Sequence, residues 1–384
     1  MKLFHISDLH IGKQLKTYNL TQLQNDVFHQ IIEKTKEQQP DVLIIAGDVY
    51  DKNVPSAEAF DLFDTFLKDF TKTNPKVPVY IIAGNHDDAS RLQFGSTFFR
   101  DHNIFISTLP PQSNDSFLMK QTLTDAYGNV NFYFLPFTRP SMVRGWLDVK
   151  NYQDAIEQLI AREAIDTRQR NVLISHQFYV YGQSRPERSE SELNYLSVGG
   201  LDCVDTMVVD DFDYVALGHI HRAQKVGKES IRYSGTPIKY SLSEVDHIKG
   251  IQVVEMKEKG NITYDFIPLV SSPDIRKVEG TLQEVLAQAS ESNKDDYVYI
   301  VLKENIPYNP LDLLRERYSH IVEVQNPWMR AQHHLAEAQQ YGKEIDPMEA
   351  FREFYAQIRD ETLEGSKEQL MMDIIDQAQK GDKA

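Results

Sequence analysis

The fold is decided by the stretch Val42-Leu43-Ile44-Ile45-Ala46-Gly47-Asp48-Val49-Tyr50-Asp51. Its apolar first half, rich in β-branched residues, is typical of a buried strand in a parallel sheet. Gly47 then predicts a tight turn that presents Asp48 at the carboxyl edge of that sheet. Open α/β folds bind their ligands at this edge. The stretch therefore predicts an α/β fold with a functional site beside Asp48.

The composition indicates a globular protein of two or three domains. At roughly 150 residues per domain, the 384 residues of the chain leave ample material for a hydrophobic core. No apolar run approaches the ~20 residues that span a membrane. Charged residues occur at Lys2 and Asp8, too early for a signal peptide. Because Cys203 is the single cysteine, no intrachain disulfide can form, which favours a reducing, cytoplasmic setting.

The charge of the chain limits the classes of nucleic-acid binder to which it can belong. A net charge of −16 argues against a protein that simply coats nucleic acid, because nonspecific phosphate binding relies on Lys and Arg. It does not exclude a nuclease whose metal ions supply the local positive charge. Acidic residues concentrate in 331–384, where twelve Asp and Glu stand against six Lys and Arg.

Strand-like and helix-like segments alternate along the first two thirds of the chain. The predicted strands before residue 100 are 2–7, 42–46 and 77–83. Between them lie segments with helical apolar spacing, the second of which begins at the N-cap Ser56. Such alternation predicts α/β units with a largely parallel sheet.

The middle of the chain is richer in strands. Segments 132–135, 172–175 and 214–217 are predicted strands, with a helix between the first two. Three later strands are predicted to form the antiparallel side of a second sheet, near 231–234, 251–255 and 262–267. We therefore expect two packed sheets flanked by helices, which is an α/β sandwich.

Two further regions follow a linker at Val270-Ser271-Ser272-Pro273. A helix near Leu282–Ala289, a strand at Tyr297–Leu302 and a second helix predict a small α/β domain. In the tail, Asp346 with Glu349 forms a capping box for one helix, and Ser366 is the N-cap of another. We divide the chain into domains at 1–270, 271–330 and 331–384.

Five short motifs follow predicted strands and hold five of the twelve histidines. They are Asp8-Leu9-His10, Gly47-Asp48-Val49-Tyr50-Asp51, Gly84-Asn85-His86-Asp87, Ser175-His176 and Gly218-His219-Ile220-His221. Carboxylate, imidazole and amide oxygen together are the ligand set of Mn, Fe, Zn and Mg ions. In Asp-x-His and His-x-His on an extended backbone, residues i and i+2 point the same way. A carboxylate that bridges two ions ~3.5–4 Å apart suits in-line displacement at phosphorus.

Each motif alone also has an ordinary structural interpretation. Asp-x-His or Gly-Asp after a strand is commonly just a turn, and a buried His176 is commonly a hydrogen-bonded core residue. The five motifs in this order, all at strand ends, favour a shared metal site.

As a set, the motifs resemble the calcineurin-like metallophosphoesterases, which group phosphatases, phosphodiesterases and nucleases on a two-sheet sandwich. The resemblance implies two metal ions, each held by three side chains, with Asp48 between them. The implied ligands are Asp8, His10 and His221 for one ion and Asn85, His176 and His219 for the other. His86 would contact the scissile phosphate without binding metal. Asp51 and Asp87 would orient histidine ligands, with turn formation or helix capping as the alternative.

Two later stretches are similar to the bacterial SbcD family of nuclease subunits within this superfamily. They are 181–200, which includes Ser189-Glu190-Ser191-Glu192, and 233–250, which includes Gly235-Thr236-Pro237 and Lys249-Gly250. This resemblance implies an exonuclease and endonuclease that cleaves DNA ends and hairpins. Its cleavage would not require ATP and would usually use Mn. It also implies a homodimer through core helices, with the helices from Leu20 and after Ser56 as our candidates. The segment 331–384 would dock on the SbcC ATPase, two copies of each subunit forming the complex.

Two other interpretations stay open at this point. A phosphoesterase acting on small phosphodiesters or phosphomonoesters would have the same ligands, without needing the second domain or a docking tail. A noncatalytic scaffold would require a broken ligand set, whereas every ligand position here is filled. The arginines at 185 and 188 are solvated loop residues or DNA contacts.

Overall fold

The computed structural model describes residues 1–195, 203–304, 306, 309–326, 348, 351–352, 355, 363–365, 367–372 and 374. The described residues fall into two compact units that divide between Ser272 and Pro273. The boundary between the units lies in the predicted linker. None of the helices in this described part is long and apolar enough to cross a membrane.

The elements of the first unit alternate as the sequence predicts. Its strands are β1 (Lys2–Ile6), β2 (Gln14–Leu15), β3 (Tyr18–Asn19), β4 (Val42–Ala46), β5 (Val79–Ile82), β6 (Ile104–Ser107), β7 (Met119–Asp125), β8 (Gly128–Leu135), β9 (Arg170–Ser175), β10 (Phe178–Val180), β11 (Cys203–Asp205), β12 (Tyr214–Leu217), β13 (Gln224–Val226), β14 (Lys228–Tyr233), β15 (Gly250–Met256) and β16 (Ile262–Pro268). Its α-helices are α1 (Thr21–Gln38), α2 (Ala57–Thr73), α3 (Ala89–Gln93), α4 (Ser96–Arg100), α5 (Pro140–Val143) and α6 (Tyr152–Ala161). Short 3-10 helices span Glu190–Tyr195, Thr206–Val209 and Leu242–Glu244.

The first sheet has the strand order β16-β15-β1-β4-β5-β6. Strands β1, β4, β5 and β6 are parallel. Strand β15 pairs antiparallel with β1, and β16 pairs antiparallel with β15. The stretch 42–46 is the fully buried strand β4 near the middle of this sheet, because its apolar residues face covered surface on both sides.

The second sheet has the order β13-β14-β12-β9-β8-β7. Its inner strands β14, β12, β9 and β8 are parallel, and the two edge strands are antiparallel. The prediction that the three late strands are the antiparallel side of this sheet is wrong. Strand β14 pairs parallel with β12, whereas β15 and β16 return to the first sheet beside β1. Apolar alternation marks a strand but does not specify which sheet it joins, since pairing depends on distant partners.

A shared apolar core lies between the two sheets, as the predicted sandwich requires. Val42, Ile44 and Tyr80 of the first sheet belong to one buried cluster with Phe132 and Ile174 of the second. Helix α1 packs on α2 with the rings of Phe28 and Phe66 4.8 Å apart. The Ser56 side chain caps α2 by accepting from the Ala59 N–H at 3.2 Å.

The second unit contains a three-stranded parallel sheet ordered β17-β18-β19. Its elements are β17 (Ile275–Gly280), α7 (Leu282–Ala287), β18 (Tyr297–Leu302), α8 (Leu311–Arg315) and β19 (His320–Gln325). Thr281 and Glu284 form a capping box at the start of α7. The predicted helix caps at Asp346 and Ser366, and the division at residue 331, lie outside the described residues.

Candidate metal centre

The carboxyl ends of β1, β4, β5, β9 and β12 bring the five motifs to one edge of the sandwich. A backbone hydrogen bond joins the loops that carry Asp8 and Asp48: the N–H of Asp8 donates to the Gly47 carbonyl at 3.0 Å. The two sheets are joined here by Nδ1–H of His176, which donates to the Ala46 carbonyl at 2.7 Å. This bond places a hydrogen of His176 on Nδ1 and directs Nε2 into the site.

One group of donor atoms comes from Asp8, His10 and His221, all buried and within 4.8 Å of one another. Nε2 of His10 lies 3.1 Å from Nε2 of His221. The carboxylate of Asp8 is held by its own neighbours, accepting from Ser7 Oγ and from the His219 N–H at 3.0 Å. These three donors can hold one metal ion.

A second group comes from Asn85, His176 and His219. The Oδ1 atom of Asn85 lies 3.2 Å from Nε2 of His176 and 2.8 Å from Nδ1 of His219. Amide oxygen with two imidazoles is a suitable donor set for a second divalent ion.

Asp48 lies between the two groups and is 2% exposed. Its Oδ2 atom is 3.2 Å from Nε2 of His176, in the second group, and 3.8 Å from Nε2 of His10, in the first. Its Oδ1 atom accepts from the backbone N–H of His86 at 2.8 Å. One oxygen therefore fixes the neighbouring loop while the other faces both donor groups.

His86 lies at the margin of the same cluster. Its Nδ1–H donates to the Asp51 carbonyl at 2.8 Å, and its Nε2 is 3.9 Å from Asp48 Oδ2. His86 also belongs to a third group of possible metal donors, with His10 and Asp51. The geometry thus offers two roles for His86, a substrate contact or a ligand.

The backbone at this edge adopts a conformation that side-chain-bearing residues rarely take. The φ angles of Asp8, His10, Asp48 and His219 are 54°, 42°, 50° and 102°. Left-handed backbone at such residues costs of order 1–3 kcal/mol each and clusters at functional sites. Four of the predicted ligands therefore have a strained backbone conformation.

Glycines at the motifs permit the close approach of neighbouring loops. A Cβ on Gly84 would collide with the side chain and backbone nitrogen of Asp48, and a Cβ on Gly218 would collide with the Ala46 carbonyl. The Gly-Asp, Gly-Asn-His-Asp and Gly-His patterns thus have a packing reason as well as a chemical one.

The electrostatics of the cluster fit divalent cations. In the described part of the chain, the ion-pair partners of Asp8 and Asp48 are histidines, with no Lys or Arg among them. Burial lowers the pKa of His219 to about 3 and that of His10 well below its usual value. Both rings are therefore neutral and carry a lone pair for a metal ion. Burial opposes a charge on His176, but the carboxylates of Asp48 and Asp8 raise its pKa to about 9. The ring therefore carries a second proton, and a metal cation can take the place of that positive charge.

Asp51 and Asp87 are predicted to orient histidines, and Asp51 contacts one through its backbone carbonyl, which accepts from His86 Nδ1–H. Asp51 Oδ1 lies 2.7 Å from Lys13 Nζ and 3.6 Å from Nδ1 of His10, beyond hydrogen-bond distance. The Asp87 carboxylate accepts from the N–H groups of Gly84, Val49 and Tyr50 at 2.8–3.1 Å. Asp87 therefore ties two loops together, which is the turn-forming alternative.

A buried network behind His221 was not predicted from the sequence. Glu244 Oε1 lies 3.2 Å from His221 Nδ1, and its Oε2 pairs with Lys249 Nζ at 2.7 Å. Burial opposes the charge on Glu244, but Lys249 and His221 hold the pKa of this carboxyl well below its usual range. Ser191 Oγ lies 2.9 Å from the same Nδ1 and donates to Glu244 Oε1. Together with the charged Glu244 it fixes the hydrogen on Nδ1 of His221 and directs Nε2 toward the donor group.

We expect Glu244→Gln to weaken metal binding and also to lower the stability of the fold, because it leaves the buried Lys249 without its carboxylate partner. The glutamine keeps the shape of the side chain but removes the negative charge that sets the orientation and basicity of His221. Loss of such a partner typically reduces metal affinity or activity by about 10–100-fold. Calorimetric titration with Mn²⁺ measures this directly, and Glu258→Gln, at an exposed glutamate, is the control. Unchanged affinity would show that Glu244 does not support His221.

Two family patterns match the sequence. The pattern described as Calcineurin-like phosphoesterase matches residues 1–223, and the one described as Type 5 capsule protein repressor C-terminal domain matches 272–359. The SbcD subunit of nuclease SbcCD from Staphylococcus epidermidis is 30% identical over 334 residues, which is 85% of each chain. The chain belongs to the SbcD family of calcineurin-like phosphoesterases.

A second member of the SbcD family, from Staphylococcus saprophyticus, is 32% identical over 333 residues, again 85% of each chain. A solved dimetal phosphatase from Danio rerio covers 71% of this chain and 97% of that one at 12% identity, with a TM-score of 0.40. As a calcineurin-like phosphoesterase, the chain is a metal-dependent hydrolase that acts on ester bonds.

Proposed function

We propose that this chain is a two-metal DNA phosphodiesterase, the nuclease subunit of an SbcCD complex. The observation that carries the two-metal part is the position of Asp48 Oδ2, 3.2 Å from His176 Nε2 and 3.8 Å from His10 Nε2. The DNA part rests on the two staphylococcal relatives, each named as the SbcD subunit of nuclease SbcCD.

The proposed ligands are those implied by the resemblance, with Asp48 shared between two groups of three. Asp8, His10 and His221 hold one ion, and Asn85, His176 and His219 hold the other. Two divalent ions held there would activate a water nucleophile and would offset negative charge on the phosphoryl oxygens. Mn is the proposed metal, with Mg, Fe and Zn accepted by the same donor types.

His86 is the proposed contact to the scissile phosphate. Its Nδ1–H is committed to the Asp51 carbonyl, which orients the ring with Nε2 toward the cluster. Imidazole can donate a proton near neutral pH, so Nε2 can protonate the departing oxygen or bond to a phosphoryl oxygen. The neighbouring Asp48 carboxylate accepts a hydrogen bond from the backbone N–H of His86 and so holds the loop that carries His86 in place.

The finer activity that we propose is ATP-independent exonuclease cleavage at duplex ends, with endonuclease cleavage at hairpins. Its cellular setting is the cytoplasm, in DNA replication, recombination and repair. The proposed partner is the SbcC ATPase, in a complex with two copies of each subunit. The acidic segment 331–384 is the proposed docking region, and α1 with α2 is the proposed homodimer surface.

The proposed function is tested by Mn-dependent cleavage of end-labelled duplex and hairpin DNA, with and without SbcC. We expect cleavage that requires Mn²⁺, stops with a chelator and does not require ATP. A chromogenic phosphodiester run in parallel reports the small-substrate alternative. If the protein hydrolyses that small diester but leaves DNA intact even with SbcC present, the DNA proposal is wrong and the small-diester phosphoesterase is favoured.

A further inference from the structure

Two phenylalanine rings lie next to His219 of the second donor group. The ring of Phe137 is stacked with the His219 ring, with centroids 6.3 Å apart and planes 17° apart. The buried ring of Phe178 meets His219 at 61°, with centroids 6.2 Å apart. Phe137 follows β8 and Phe178 begins β10, so different loops supply the two rings.

An arginine guanidinium lies over the ring of each of these phenylalanines. The guanidinium carbon of Arg188 lies 4.5 Å from the centroid of Phe178, and that of Arg139 lies 5.6 Å from the centroid of Phe137. An arginine over an aromatic ring has its plane supported by that ring while its N–H edge can still donate. Each guanidinium is thus held over a ring that neighbours His219, although Arg139 is exposed and Arg188 is partly buried.

Neither arginine has a carboxylate partner in the described part of the chain. Many other surface cations there are paired, as are Arg168 with Asp166 and Lys228 with Asp210. Glu187, next to Arg188 in sequence, pairs instead with Arg222. In a chain with a net charge of −16, these two guanidinium groups beside one site are positive charges available to an anion.

We propose that Arg139 and Arg188 bind phosphates of the DNA strand that flank the scissile phosphate. This inference rests on the proposed function, since it needs a polymeric phosphodiester at the metal site. Phosphates follow one another every ~3.4 Å of helix axis along a strand, so a strand held at His219 carries further phosphates past both arginines. The guanidinium fork bonds two phosphate oxygens at once. A small diester has no flanking phosphate and gains nothing from these contacts.

The test compares the double variant R139Q/R188Q with the wild type on two substrates, Mn²⁺-loaded in each case. We expect the ratio of kcat/KM on duplex DNA to kcat/KM on a chromogenic phosphodiester to fall at least about tenfold, the size of one charge-assisted hydrogen bond. We also expect log(kcat/KM) on DNA to depend less steeply on log[KCl], by about one slope unit for each arginine removed. Arg185→Gln is the matched control, because Arg185 is exposed on the loop that carries Arg188.

The outcomes separate this inference from the proposed function. Suppose that the wild type cleaves DNA and that R139Q/R188Q shows the same ratio of kcat/KM values and the same dependence on log[KCl]. The arginine contacts are then wrong, and the nuclease proposal is unaffected. An equal effect of Arg185→Gln would show a general effect of charge and also overturns the inference. Absence of DNA cleavage by the wild type, with or without SbcC, overturns both.

Discussion

Asp48→Asn should reduce DNA cleavage by at least ~10³-fold, more than the loss of one hydrogen-bond donor in a catalytic site, which costs ~10²–10³. The replacement keeps the shape of the side chain and an oxygen that can accept the His86 N–H. It removes the negative charge at Oδ2, the atom that faces both donor groups. The neutral amide would also direct N–H groups toward imidazole nitrogens. Steady-state cleavage of end-labelled duplex DNA at saturating Mn²⁺ measures the effect.

Asp8→Asn is the matched control for this change. Asp8 is as deeply buried as Asp48, and the proposal assigns its carboxylate to one ion only, although its Oδ1 also lies 3.9 Å from Nε2 of His176. We therefore expect a smaller loss of cleavage in Asp8→Asn, partly restored at higher Mn²⁺ concentration, and no comparable recovery in Asp48→Asn. Equal losses with equal recovery would place the shared role on another residue.

His86→Gln should lower kcat on DNA by roughly 10²–10⁴-fold, the range typical of a lost general acid or base. Glutamine can donate to the Asp51 carbonyl as Nδ1–H of His86 does, so the loop should keep its place. It cannot deliver a proton to a departing oxygen. Single-turnover cleavage at saturating protein isolates the chemical step, and His102→Gln, at an exposed histidine, is the control.

The metal content of His86→Gln decides between the two roles that the geometry offers. His86, His10 and Asp51 also lie close enough together to hold an ion. A proton donor or phosphate contact can be lost with both ions retained. Loss of one ion along with the activity would assign His86 as a ligand and contradict the proposed phosphate contact.

The sequence could predict which residues meet at the sheet edge because their signals are local. Asp48 and His176 each follow a short buried strand, and strands of this kind can be identified from apolar runs. Parallel strands share a carboxyl edge, so separate motifs could be expected to meet without knowledge of the full topology. The structure brings together the donor atoms of the seven predicted ligands, and their metal-binding roles are part of the proposal above.

The features that sequence analysis missed depend on distant pairing. Strands β15 and β16 carry the same alternation whichever sheet they join, and only the partner β1 decides. Glu244 supports His221 across 23 positions of sequence, and its pattern is that of an exposed polar loop. The available signal for this network was an acidic residue followed by Lys249 near a Gly-Thr-Pro turn. The pair matters because it is buried, and its burial is visible only in the structure. Arg139 likewise becomes notable only once Phe137 stacks on His219.

The number of Mn ions bound per chain by the wild type and by Asp48→Asn is the most direct test of a shared two-metal centre. It is measured by mass spectrometry of the metal after equilibrium dialysis. We expect two ions in the wild type and one or none in Asp48→Asn, because the bridging charge is lost from both donor groups. Two ions at full occupancy in Asp48→Asn, or a wild type that cleaves DNA with one ion, would contradict the account.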